Sequence, residues 1–283
     1  MRKLRTCDNA HLNTGVSKCP PSFGKKKMAI IVPYGTKLPA NLTADKLEEL
    51  AHAPVGSRIY GVGVFVEYAK NGGEAQTSTV GYGPEEITGY SPLKETYTLQ
   101  KFSPELHASF VRAKGVQWGV YFIDENWQLF GENDGTDILA PLPMSNIYTD
   151  VTPSPTSSAK ESMTITFSYE DTETAYKNYD FTKLDFNPMK LILGLTLVRL
   201  EKLGDTESAY KIFENTGGYD VTGIYGPLIV IGGAAVLNGT TTAASYVEET
   251  NSLTITTTDN AVPSLKAPSV LYENDIKGIE QVL

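Results

Sequence analysis

Cysteine is nearly absent from this 283-residue sequence: Cys7 and Cys19 are the only two, and both fall within the first 27 residues. Two cysteines cannot build the disulfide framework of a small secreted fold. With His11 they offer three soft ligands, but a fourth is missing and the spacing fits no zinc pattern, so no metal is expected. Free thiols or a local disulfide stay open. Histidine is equally scarce, at His11, His52 and His107. A hydrolase triad needs one of these beside an activated serine, and the nearest approach to a nucleophile elbow, Val80-Gly81-Tyr82-Gly83, carries no Ser. The glycine-rich nucleotide motifs are missing too. Gly61-Val62-Gly63 is followed by Val64-Phe65-Val66, so the third glycine of the dinucleotide fingerprint is absent, and small residues there point to close packing instead. No catalytic, cofactor-binding or metal residue is assigned, and no enzyme is expected. Long hydrophobic runs are also lacking. Met189–Val198 and Tyr225–Leu237 fall short of the roughly 20 residues that cross a bilayer, and no apolar segment precedes Lys25, so neither a membrane span nor a secretory signal is expected.

Charge is present but unevenly divided. Residues 1–27 hold seven basic side chains and one acidic one, a net +6, whereas the remaining 256 carry seventeen basic and thirty-two acidic groups, a net −15. An acidic body repels a nucleic-acid backbone rather than gripping it. The leader, too polar to form a core, is expected to be a flexible or docking arm that orders on a neighbouring protein.

Short runs rich in aromatic and β-branched residues dominate the rest. Thr96–Leu99, Trp118–Ile123 and Met163–Tyr169 are separated by Gly, Pro, Asn and Asp. In Met163–Tyr169 polar Thr164, Thr166 and Ser168 alternate with apolar neighbours, the period-two pattern of a strand. Arg58–Tyr68 reads as one strand with Tyr60, Val62, Val64, Val66 and Tyr68 on its buried face. Asn71-Gly72-Gly73 then predicts a turn, with Gln76–Val80 returning as the partner strand. Two helices are signalled: one N-capped by Thr43 and stopped before Pro54, the other over Pro104–Arg112 with proline in its first turn. Lys190–Leu203 fits either a helix or a strand. Leu228–Ile231 and Leu253–Thr258 read as strands in a glycine- and threonine-rich tail. The division expected is a leader over 1–27, a main β domain over 28–204 and a small β-sandwich-like domain over 205–283.

The most acidic stretch, Tyr121–Asp150, holds Asp124, Glu125, Glu132, Asp134, Asp137 and Asp150 without one Lys or Arg. Two carboxylates could flank a glycosidic bond, and Asp124, Glu132, Asp134 and Asp137 are the candidates. A calcium loop fails its template, because the twelfth position from Asp124 is Gly135. Turn and solvent face is the expected role. The aromatics Tyr82, Tyr90, Tyr97, Trp118, Tyr121, Trp127 and Tyr148 could stack sugars, or serve the core and subunit contacts.

The order Arg58-Ile59-Tyr60, Gly72-Gly73-Glu74, Gly81-Tyr82-Gly83, Trp118-Gly119-Val120-Tyr121, then Lys160–Tyr169 and Tyr176–Phe181, resembles virion proteins of tailed bacteriophages. The likeness spans roughly residues 28–190 and is nearest to tail-tube and neck-ring proteins of phages and prophages of Bacteroides-like hosts. It implies a β-sandwich or half-barrel with a flanking helix, plus a C-terminal Ig-like or other small β domain. It also implies a non-enzymatic subunit of the virion, made in the host cytoplasm. Copies would ring a passage that DNA traverses without specific binding, next to neck, portal or tail proteins. An acidic lumen would suit that passage, with Tyr121–Asp150 or Glu170–Asp180 as its rim. A glycan-binding or head-decoration module is the alternative.

Overall fold

Strands outnumber helices because apolar and β-branched residues recur in short blocks between turn formers. The structure, a computed structural model, describes residues 23–150, 155, 161–192, 194–204, 208–258 and 262–282. Cys7, His11 and Cys19, and most of the leader, lie outside them. The protein is mainly β, with 41% strand against 19% helix. Contacts divide it into two units: residues 1–47 with 59–192, and residues 48–58 with 193–283.

The first unit runs β1 (Lys26–Pro33), α1 (Ala44–Ala51), β2 (Tyr60–Gly63), β3 (Phe65–Asn71), β4 (Ala75–Ser78), β5 (Glu86–Tyr90), β6 (Lys94–Leu99), α2 (Pro104–Arg112), β7 (Trp118–Asp124), β8 (Gln128–Glu132), β9 (Leu142–Thr149), β10 (Met163–Tyr169), α3 (Thr172–Lys177) and β11 (Tyr179–Lys183). Its pairings form a closed circuit. β3 pairs with β6, β6 with β10, β10 with β9, β9 with β7, β7 with β1, and β1 with β2, which continues into β3. The β8–β11 pair extends from the second half of β7, where Phe122 and Ile123 oppose Phe130 and Leu129. Aromatics from four strands meet inside: Phe65 stacks on Tyr97 at 4.5 Å between centroids, and Phe167 meets Phe122 edge-on at 5.3 Å. Each such pair adds about 0.5–1.5 kcal/mol beyond burial.

The bend from β2 to β3 corrects the single strand expected over Arg58–Tyr68. Val62 and Phe65 are buried, whereas Val64, Val66 and Tyr68 are exposed. The chain switches partner from β1 to β6 across Gly63 and Val64, which reverses the alternation at Phe65, and a register shift between Phe65 and Glu67 then returns Tyr68 to the side of Tyr97. Gly61 does serve close packing: a Cβ there would lie 2.1 Å from the Ile192 carbonyl oxygen. The leader boundary also moves, since Lys26 and Lys27 belong to β1.

Both expected helices form. The Thr43 hydroxyl accepts the Lys46 amide at the start of α1, and the Ser103 hydroxyl accepts the Leu106 amide at the start of α2. Such a cap satisfies one of the orphan amides of the first turn.

The second unit contains β12 (Thr196–Lys202), β13 (Ala209–Glu214), α4 (Thr222–Gly232), β14 (Leu237–Asn238), β15 (Thr241–Val247), β16 (Ser252–Thr257), β17 (Ser264–Leu265), α5 (Pro268–Glu273) and β18 (Ile279–Gln281). A five-stranded sheet in the order β15–β16–β13–β12–β18 curls as a half-barrel, with α4 packed on β13, β15 and β16. The helix covers one face, and the short β14–β17 pair adds Leu237 and Leu265 to the same core, so this is a small β domain. Within the ambiguous Lys190–Leu203 stretch Thr196–Lys202 forms β12, whose pairing with β13 and β18 puts it in this unit, ahead of the boundary expected at 204, while Lys190 closes a short 3-10 turn of the first unit. Leu228–Ile231, expected as a strand, lies within α4. Among the described residues no helix is long and apolar enough to cross a membrane.

Residues 48–58 join the second unit through three side chains. Arg58, itself buried, donates to both oxygens of Glu280 at 2.7 and 3.0 Å and to the Ala53 carbonyl at 2.8 Å. His52 donates from Nδ1 to the Glu48 carbonyl and accepts the Gly278 amide at Nε2. Glu48 accepts from Lys277 Nζ at 2.7 Å.

Candidate functional site

The acidic stretch disperses. Asp124 is fully buried in the β7–β8 turn; its Oδ1 accepts the Asn126 and Gln128 amides, and its Oδ2 accepts the Gly24 amide at 2.8 Å. Glu132 accepts from the Asn178 amide nitrogen. Asp134 is held by Lys37 and by the Thr136 hydroxyl, and these hydrogen bonds lower its carboxyl to a pKa of about 2. Asp137 stands at the wall of a cavity of about 540 Å³ beside β11, with Leu42, Leu129, Phe181, Lys183 and Leu184. The four carboxylates weighed as a glycosidase set thus go to a buried turn, a strand end, an exposed ion pair and a cavity wall. Among the described residues no cluster of His, Cys, Asp and Glu could hold a metal ion. His107 meets the Asp150 carbonyl at 3.2 Å through Nε2. The Glu170–Asp180 stretch spends Asp171 on capping α3, while Glu170 accepts from the Tyr34 hydroxyl at 2.6 Å.

The aromatics disperse as well. Tyr97 and Tyr121 are in the core; Trp118, Trp127 and Tyr148 are half-buried, Trp118 meeting Tyr60 edge-on; Tyr82 and Tyr90 are exposed.

One buried constellation escaped the sequence. Glu95, on β6, is 2% exposed, and its two oxygens accept from Lys26 Nζ at 2.8 and 3.1 Å. The hydroxyls of Tyr97, Tyr169 and Tyr68 donate to it at 2.8, 3.2 and 3.3 Å. Lys26 also lies 4.3 Å from the centroid of Phe122. The group ties β1, β3, β6 and β10 together. Burial first, and the Glu95 charge second, push the Tyr97, Tyr169 and Tyr68 hydroxyls well above the ordinary tyrosine range. Every donor points at one carboxylate, so the group fixes structure. Its signal, a lysine three residues ahead of Ala29 in a basic run, read as leader.

Exposed apolar surface gathers elsewhere. Nineteen large hydrophobics among the described residues are exposed, and seven of them lie between Val64 and Tyr90. There β3 and β6 continue outward as β4 and β5, which pair with each other and bury no side chain. The Asn71-Gly72-Gly73 turn signal marks the junction, not the hairpin tip. Gly72 has φ of 79° and no room for a Cβ, which would stand 1.9 Å from the Pro92 carbonyl oxygen. β4 therefore does not fold back on β3, as expected, but runs on to a tip near Tyr82. Beyond Phe65 the outer edge of β3 has no partner strand among the described residues, and neither has the outer edge of β11. No protein-family model matches the chain, and no curated protein matches it.

Proposed function

We propose that this chain is a non-enzymatic structural subunit that assembles side by side with copies of itself into a ring or tube, in a phage neck or tail, around a DNA passage. The carrying observation is the β3 edge with its extension. An open edge bearing Val66 and Tyr68, followed by a ribbon with no core of its own, is a hazard in a monomer and a joint in an assembly. The second open edge, β11, belongs to a different part of the same sheet. A contact between unlike surfaces repeats around a ring, or along a filament if it does not close. The virion setting rests on the sequence likeness, and the weak hold on DNA on the net charge of −9. Asp124 is internal and Asp134 is paired, so an acidic rim built from 121–150 would draw on Glu125, Asp137 and Asp150, all exposed.

Light scattering over a range of concentrations, with negative-stain images of the same samples, tests the reading. Closed or stacked rings are the expected result. A strict monomer that also fails to join partly assembled particles would overturn it.

A further inference from the structure

The β4–β5 ribbon has two unlike faces. Residues directly opposed across an antiparallel pair share a face. The register sets Ala75 against Tyr90 and Thr77 against Ile87, so these four lie on one face. Ser78 and Glu86 oppose each other on the other face, with Gln76. Ile87 and Tyr90 are nevertheless 63% and 44% exposed, and Val80 and Tyr82 at the tip are fully open. A solvated ribbon gains nothing from such a division; a ribbon laid on another surface does. Its charge is of one sign as well: from Gly72 to Leu93 it carries Glu74, Glu85 and Glu86 and no Lys or Arg.

A surface of the opposite kind is present on the same unit. Around α2, Val111 and Val116 are 57% and 44% exposed, and Lys101, Arg112 and Lys114 stand exposed about them. None of these three cations is held in an ion pair among the described residues. Both surfaces pair bare aliphatic groups with charge, and the charges are opposite. We propose that the ribbon of one copy lays its Ile87 and Tyr90 face on the Val111 and Val116 surface of a second copy, with Glu85, which accepts the Thr77 hydroxyl on that same face, meeting Arg112 and Lys114. The apolar area holds the contact, while the charges steer it and set its direction. Donor and receptor surfaces differ, so every copy offers one of each and the contact propagates. This inference rests on the assembly reading and names its joint.

Two single-cysteine proteins test it, each in a chain where Cys7 and Cys19 are replaced by serine. One carries Ile87→Cys and the other Val111→Cys. Mixed and oxidised, they are expected to give a disulfide-linked dimer that neither gives alone in comparable yield. In parallel, the E85K and R112E/K114E variants are each expected to weaken association at least roughly tenfold, since like charges then face each other, whereas E86K, on the far face, should leave it unchanged. Mixing the two reversed proteins restores association. The ribbon buries nothing, so circular dichroism of E85K should match the unaltered protein. If the unaltered chain assembles but the mixture does not cross-link and the reversals change nothing, this joint is wrong and the assembly reading stands. If the unaltered chain stays monomeric throughout, the assembly reading itself falls.

Discussion

Replacing Lys26 with methionine tests whether the buried Glu95 group holds the first unit together. The side chain of Glu95 is 3% exposed and that of Lys26 20% exposed, so salt screens the pair little. Removing one partner of a buried ion pair leaves a charge without compensation, at about 3–5 kcal/mol. Three tyrosine hydroxyls would still donate to the carboxylate, which places Lys26→Met near the lower end, about 3 kcal/mol. Glu95→Gln is milder, about 1–2 kcal/mol, because the ammonium retains some access to water and the amide oxygen still accepts a hydroxyl. The double variant buries no charge. It should lose about as much as Glu95→Gln alone, leaving a coupling of roughly 2–3 kcal/mol. Urea unfolding followed by tryptophan fluorescence suits the measurement, because the only two tryptophans, Trp118 and Trp127, both lie in the first unit. Additivity of the two single changes to within about 0.5 kcal/mol would refute the reasoning, as would a loss below about 1 kcal/mol for Lys26→Met.

The same group governs behaviour in alkali. Burial and the Glu95 charge raise the Tyr68, Tyr97, Tyr169 and Tyr179 hydroxyls in the fold, so the stability tied to these protons is complete below the ordinary tyrosine value of about 10 and is lost as pH rises above it. Tyrosinate absorbance should therefore show these four titrating only with unfolding; smooth titration of all sixteen tyrosines in the folded protein would contradict this. At the acid end, the Asp134 carboxyl is lowered to about 2 by Lys37 first and Thr136 second, so its contribution is present above about 4 and is lost as pH falls toward 2. Lys37→Ala should move the acid transition upward in pH, read by circular dichroism. In the second unit, Arg58→Lys should not rescue Arg58→Ala, because a lysine cannot reproduce the two parallel bonds to Glu280. Either change should cost about 3 kcal/mol and speed hydrogen exchange over 48–58; unchanged exchange in both would count against the anchor.

What was legible in the sequence follows the range of the interaction that decides each element. Both N-terminal helices were readable from local signals, Thr43 acting on an amide three residues away and Pro104 standing in the first turn of α2, where the structure adds a Ser103 cap. α4 was not. Its mean composition is so apolar that no period stands out, and Pro227 inside it argues against a helix, yet buried Thr222, Gly226 and Ile229 recur at helical spacing against the sheet. Lys26 was read with its neighbours in a charged run, although the partner that determines its place, Glu95, lies 69 residues away. The acidic turn was read correctly in kind, since Asp124 accepts amides two and four residues ahead, a local bond that the Asp-Glu-Asn spacing announces.

The misread strand and the missed ribbon have one cause. Regular alternation from Tyr60 to Tyr68 assumes that one neighbour lies on each side throughout. Here the chain leaves β1 at Gly63 and enters beside β6 at Phe65, which changes the face at that point, and the register shift before Glu67 then returns Tyr68 to the face of Tyr97, which it opposes. The reversal at Phe65 sends that side chain inward to Tyr97 and Phe167 and leaves Val64 and Val66 in solvent. A single change of partner thus accomplishes two things at once. It completes the circuit of strands around the first core, and it turns apolar side chains outward along the one strand that leads into the ribbon. Interior closure and exterior stickiness are therefore coupled at Gly63–Phe65. A substitution that restored the simple alternation would not merely tidy the surface; it would take Phe65 out of the core, where an aromatic-to-alanine change alone costs about 3–5 kcal/mol. The exposed Val64 and Val66 are accordingly not free to be buried within the same copy.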